Sequence, residues 1–165
     1  MRAFLCHEWG EAETIEVEET AAPEMIEGGV RIAVKAAGVN FADILMVQGK
    51  YQVKPQFPFS PGLEVAGEVI ECAPGISDFN PGDRVLAMVS HGGYATEVVA
   101  PTKDVIAIPD SMDFPIAAGC PIVYGTSHIG LIDKLKLQAG ETLLVHGAAG
   151  GVGLTAVEIG KKLGA

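Results

Sequence analysis

The residues best suited to chemistry lie near the end of the sequence. Leu143-Leu144-Val145-His146-Gly147-Ala148-Ala149-Gly150-Gly151-Val152-Gly153 runs an apolar segment into a cluster of glycines. Glycine lets a chain turn tightly and approach a bulky anion, and a following helix offers that anion unpaired N–H groups. Strand, glycine turn and helix in this order open a dinucleotide-binding βαβ unit. Gly150, Gly151, Val152 and Gly153 are then the residues whose backbone meets a pyrophosphate. Other reactive side chains are sparse. Cys6, Cys72 and Cys120 are far apart and form no Cys-x-x-Cys pair, which argues against structural zinc and against a disulfide framework. Cys120, in an apolar stretch, reads as a small buried hydrophobe. His7, His91 and His128 have no metal-ligand spacing, and His146 reads as a strand histidine satisfied by neighbouring backbone.

The elements that must position this turn follow from the alternation of apolar and turn residues. Segments 2–7, 14–18, 30–37, 63–71, 84–89, 94–99 and 105–108 have strand character. Gly28-Gly29, Pro74-Gly75, Pro81-Gly82-Asp83, Gly92-Gly93 and Pro109-Asp110 separate them. Short strands at even spacing predict a compact β-barrel or sandwich. One helix is expected at Phe41–Val47, with Gly49 ending it. Past Pro109 the texture becomes helical. Ser111 or Asp113 is placed to cap a helix beginning near Phe114, which Pro121 kinks or breaks. A second helix is expected over 126–135, a turn at Ala139-Gly140, a strand over 142–146 and a helix over 152–163. The domain reading is 1–112 for the β domain, 113–138 for a helical connector, and 139–165 for the first βα of a doubly wound domain. A lone strand has no ladder to offset its ordering entropy of about 1–2 kcal/mol per residue, so the polypeptide is expected to continue for another domain.

Composition narrows the class. The net charge of −10 speaks against a nucleic-acid partner, which needs clustered Lys and Arg. Much of the acid falls between Glu8 and Glu27, where Thr14-Ile15-Glu16-Val17-Glu18 alternates as a half-solvated strand does. Hydrophobic residues make up 48% of the chain, yet no apolar run reaches the about 18 residues that span a bilayer. The early acid of Met1-Arg2-Ala3-Phe4-Leu5-Cys6-His7-Glu8 is unlike a signal peptide, so the expectation is a cytoplasmic protein without a membrane partner.

Several segments carry a family resemblance. They are Ala36-Ala37-Gly38-Val39-Asn40-Phe41-Ala42-Asp43, Gly49-Lys50-Tyr51, Phe57-Pro58-Phe59-Ser60-Pro61-Gly62-Leu63-Glu64-Val65-Ala66-Gly67, Gly82-Asp83-Arg84-Val85, Gly92-Gly93-Tyr94-Ala95, Tyr124-Gly125-Thr126 and Gly147 through Gly153. In this order the chain resembles the front half of a medium-chain dehydrogenase/reductase, in the zinc-independent NADPH:quinone oxidoreductase (zeta-crystallin-like) branch. The resemblance implies a mainly β GroES-like barrel followed by the truncated start of an α/β Rossmann domain. It also implies a homodimer as the full-length protein.

The departures from zinc-dependent relatives set the expected chemistry. Asn40 stands where those relatives place a Cys, and Leu63 where they place a His, while Glu64 remains. An amide and an aliphatic side chain cannot replace thiolate and imidazole around zinc. Without a Lewis acid, the remaining chemistry is hydride delivery to an acceptor that is already electrophilic, such as a quinone or an enone. The resemblance places Asn40, Phe41 and Thr126 near the nicotinamide and makes Tyr51 the donor to the oxygen that gains charge. Leu45 stands where many quinone reductases carry a second tyrosine. The Ala-x-Gly-x-x-Gly form at Ala148–Gly153 resembles NADPH users, with NADH also open. An enoyl-thioester reductase is the alternative acceptor reading. An inactive fragment or a nucleotide-binding structural protein is the alternative class.

Overall fold

Val30 and Ile32 alternate with Arg31 and Ala33, the period-2 pattern that sends one set of side chains into a core. The same alternation recurs along the first two thirds of the chain and produces its strands. A computed structural model describes residues 1–165, which divide into two compact units, Met1–Gly119 and Cys120–Ala165. The first contains β1 (Arg2–Leu5), β2 (Glu16–Glu19), β3 (Gly29–Ala37), α1 (Phe41–Val47), β4 (Glu64–Cys72), β5 (Arg84–Met88), β6 (Glu97–Pro101), β7 (Val105–Ala107) and α2 (Phe114–Ala118). Five of the strands form an antiparallel sheet in the order β6-β3-β4-β5-β7, and β1 and β2 pair as a separate ribbon. Isolated bridges tie the β1 end of that ribbon to Ala95 and Phe59.

The central strand β4 is buried on both faces. Val65 and Val69 join Val30, Ile32, Val85, Ala87, Val98, Ala100 and Val105 in the main core. Ala66 points the other way, against Ala117 and Ala118 of α2. Between them, Gly67 is required: a Cβ there would lie 2.0 Å from the carbonyl oxygen of Ala33. That close approach coincides with the irregular register between Val34 and Ala36. Arg84 fastens the segment leading into α2. Its guanidinium donates to the carbonyls of Pro109 (3.0 Å), Asp110 (2.6 Å) and Met112 (2.6 Å), and it lies over the Phe114 ring.

In the second unit, α3 (Pro121–His128) runs into a π-helical segment (Ile129–Lys134), and α4 (Gly151–Leu163) packs against α3. Ser127 joins the two helices through its hydroxyl, which donates to the Val152 carbonyl at 2.7 Å and lies 2.8 Å from the Thr155 hydroxyl. No helix of the chain is long and apolar enough to cross a membrane.

The structure corrects several expected boundaries. Residues 142–146 lie without a ladder, because no neighbouring segment of that unit runs extended beside them to share hydrogen bonds. The helix expected over 126–135 starts at Pro121, whose missing N–H suits the first helical position. Asp113 occupies the N-cap of α2 but its side chain makes no capping bond. The expected strand over 94–99 is displaced to Glu97–Pro101, since Tyr94 is drawn into the site described below.

Candidate active site

Ala36-Ala37-Gly38 carries β3 out of the sheet and Asn40 begins α1, so the loop between them places a polar residue at a helix start. Asn40 is extended, with φ −125° and ψ 152°, as a residue that precedes a first helical turn must be. Its backbone N–H donates to Asp43 Oδ2 at 2.7 Å, and the Asp43 N–H returns to the Asn40 carbonyl at 3.0 Å. The Asn40 side chain also reaches β4, where Nδ2 donates to Glu64 Oε1 at 2.8 Å. Glu64 opens β4 and is 1% exposed. A Cβ on Gly38 would lie 2.2 Å from Glu64 Oε1, so glycine makes the room in which this carboxylate rests.

Tyr94 completes the cluster. Its hydroxyl donates to Asp43 Oδ2 at 2.6 Å and lies 3.3 Å from the Gly38 carbonyl. Burial, then the hydrogen bond to Asp43 and its charge, push the Tyr94 hydroxyl far above the ordinary tyrosine value. Asp43 itself is 4% exposed and its Oδ1 has no hydrogen-bond partner. Four side chains from α1, β4 and the loop before β6 thus meet around one loop. Of these, the sequence marks Asn40 as a site residue and Glu64 as what remains of a metal pattern, while Asp43 and Tyr94 stand only within the family segments.

The donor set does not fit zinc. Leu63 offers no lone pair and is buried, and the Asn40 amide nitrogen faces a carboxylate.

Phe41, the first residue of α1, is 74% exposed and leaves an aromatic face open beside Asn40. Tyr51 lies beyond the other end of α1, a helix spanning about 10 Å. There the Leu45 carbonyl receives the N–H groups of Lys50 (2.8 Å) and Tyr51 (3.0 Å). Gly49, at φ +67°, makes that turn and packs against Trp9, where a Cβ would lie 2.8 Å from the indole. The Asn40 cluster and Tyr51 are therefore held at opposite ends of one short helix, and Tyr51 belongs to no part of the hydrogen-bonded group.

The second unit holds Thr126 and the glycine turn. Thr126 is exposed on α3. Gly147 has φ +70°, and its carbonyl accepts the Gly150 N–H at 3.0 Å, closing the turn. The first bond of α4 runs from the Leu154 N–H to the Gly150 carbonyl at 2.8 Å. Gly151, Val152 and Gly153 precede it, where a helix has no carbonyls to offer their N–H groups. A Cβ on Gly153 would sit 2.3 Å from the Gly147 oxygen, so this backbone approach admits glycine alone. Such a cradle fits the diphosphate of a nucleotide.

Residues 26–110 match the family described as the alcohol dehydrogenase GroES-like domain. The chain is 43% identical over 159 residues to a quinone oxidoreductase-like protein 2 homolog of Nematostella vectensis, covering 96% of this chain and 43% of that protein. It is 45% identical over 139 residues to polyketide synthase GfsB of Streptomyces halstedii, covering 84% of this chain and 2% of that protein. Among solved structures, the quinone oxidoreductase of Thermus thermophilus, determined also as its complex with NADPH, superposes with a TM-score of 0.85 at 32% identity. That match covers 99% of this chain and 51% of the other. The chain spans about half the length of the curated quinone oxidoreductase-like relatives it matches.

Proposed function

The chain belongs to the alcohol dehydrogenase GroES-like domain family, and from that premise we propose that it serves an oxidoreductase moving a hydride from NADPH to a quinone or a comparably activated enone, without zinc. The observation that carries the reading is the Asn40–Glu64 pair beside Leu63, which puts an amide, a buried carboxylate and an apolar side chain where a zinc enzyme needs soft donors. Relatives named as quinone oxidoreductase-like and a neighbour solved with NADPH support the reaction class and the donor.

When bound, the reduced nicotinamide supplies the hydride. The work of this chain is to bind, orient and keep out water. N–H groups of Gly151, Val152 and Gly153 hold the diphosphate against the N-terminus of α4, and Gly150 closes the turn that aims them. In the first unit, Asn40 and Phe41 offer a polar and an aromatic contact to the cofactor; in the second, Thr126 offers a hydroxyl to it. Tyr51 donates a hydrogen bond to the acceptor oxygen as it gains negative charge. Because the acceptor is already electron-poor, orientation and that single donor replace Lewis-acid activation.

The test is NADPH oxidation by the purified protein against benzoquinone, naphthoquinone, an aliphatic enone and a 2-enoyl thioester, with Tyr51→Phe alongside. Quinones accelerate oxidation, and Tyr51→Phe lowers kcat by about tenfold or more. If none of the four acceptors accelerates it, the reductase reading fails; an unchanged Tyr51→Phe removes only the role given to Tyr51. A preference for the enoyl thioester supports the second reading, an enoyl-thioester reductase. That reading is favoured by the polyketide synthase match.

A further inference from the structure

Glu64 is a costly residue to bury. At 1% exposure it occupies the first position of a central strand whose neighbours Leu63 and Val65 are apolar and buried, and sheet packing alone asks for an aliphatic side chain there. Instead a carboxylate lies against the Cα of Gly38, in space that any other residue at that position would fill. Among its contacts, Oε1 accepts the Asn40 Nδ2–H at 2.8 Å. A carboxylate only accepts, so this bond fixes which side of the Asn40 amide faces the protein. The backbone of Asn40 is held separately through Asp43 Oδ2, itself steadied by Tyr94.

We propose that Glu64 is a positioning residue that locks the Asn40 carboxamide in one of its two flip states, with Gly38 as the space that lets it do so. The proposal rests on the reading that Asn40 touches the bound nicotinamide or acceptor, and it adds the group that makes this contact single-valued. Without the carboxylate the amide rotates, and donor and acceptor exchange places at the ligand. The remaining Nδ2–H and Oδ1 then present an averaged rather than a fixed pattern.

The protein carrying this chain is compared with Glu64→Gln, Glu64→Leu, Asn40→Ala and the double variant Asn40→Ala/Glu64→Leu. Gln keeps an acceptor oxygen in place, whereas Leu keeps the volume and loses the acceptor. In the nucleotide-free protein, the Asn40 side-chain N–H pair is read by two-dimensional 15N–1H spectroscopy and assigned by its loss in Asn40→Ala. The pair is protected from exchange in the parent and in Glu64→Gln, and it moves to the solvent-exposed range in Glu64→Leu. In NADPH oxidation, Glu64→Leu lowers kcat/KM by about tenfold or more, Glu64→Gln retains most of it, and the double variant is no worse than Asn40→Ala.

An unchanged Asn40 signal in Glu64→Leu overturns the positioning role, as does a double variant whose losses add. Either result leaves the reductase reading standing if the parent is active. A parent that neither binds nor oxidises NADPH sinks that reading and this proposal together. Should Glu64→Leu fail to fold, loss of the protected signal in Gly38→Ala, which displaces the same carboxylate, decides the matter; retention overturns the proposal.

Discussion

Asp43 carries two hydrogen-bond donors on one oxygen, the Asn40 N–H and the Tyr94 hydroxyl, and none on the other. A buried carboxylate with so few partners is sensitive to losing either. Tyr94→Phe is expected to cost about 1–3 kcal/mol of stability, because it strips Asp43 of a donor at no gain in packing. Asp43→Ala is expected to cost about 2–4 kcal/mol, since it leaves the Tyr94 hydroxyl only the longer contact to the Gly38 carbonyl and removes the helix-start bond together. Urea unfolding measures both. The raised Tyr94 pKa gives a second check with a defined sign. The folded state keeps the proton that the unfolded chain releases at about pH 10, so this contribution is intact below that pH and declines as pH rises toward the folded value. Phenolate absorbance will show Tyr94 silent until alkaline unfolding, and Tyr94→Phe will remove that late step. Asn40 was legible in the sequence because its motif is local. Tyr94 was not assigned a role because its partner Asp43 lies 51 residues away, and nothing in either neighbourhood announces the pair.

At the scale of elements, glycines set the close approaches. Gly67→Ala drives a methyl into the Ala33 carbonyl where β3 and β4 slip register, and is expected to cost about 3 kcal/mol or more, read as a lowered unfolding midpoint. Gly153→Ala meets the Gly147 oxygen and opens the turn that aims the first N–H groups of α4. Loss of one such bond to a diphosphate oxygen weakens NADPH binding by about tenfold or more, measurable by fluorescence titration. Period-2 alternation made β3, β4, β5 and β7 readable to within a residue or two, and helical spacing with Gly49 fixed α1. The pattern failed at residues 142–146, whose apolar run has strand composition but no neighbour to pair with. It also missed the start of α3, where Pro121 opens a helix rather than breaking one. Composition reports what a segment can become; pairing depends on what lies beside it.

For the molecule as a whole, the charge is unevenly shared. Residues 1–119 carry eighteen Asp and Glu against seven Lys and Arg, whereas residues 120–165 carry three against four. The acid lies largely in the first unit and spares the unit that holds the glycine turn, so a diphosphate meets no net repulsion there. The proposed function is that the protein carrying this chain reduces an electrophilic acceptor with no metal at Asn40 and Glu64. The most direct test is stopped-flow NADPH oxidation with naphthoquinone by the protein carrying this chain, run after exhaustive chelation and again with added zinc. The account predicts the same rapid, quinone-dependent oxidation in both. Activity that vanishes on chelation and returns with zinc would contradict it.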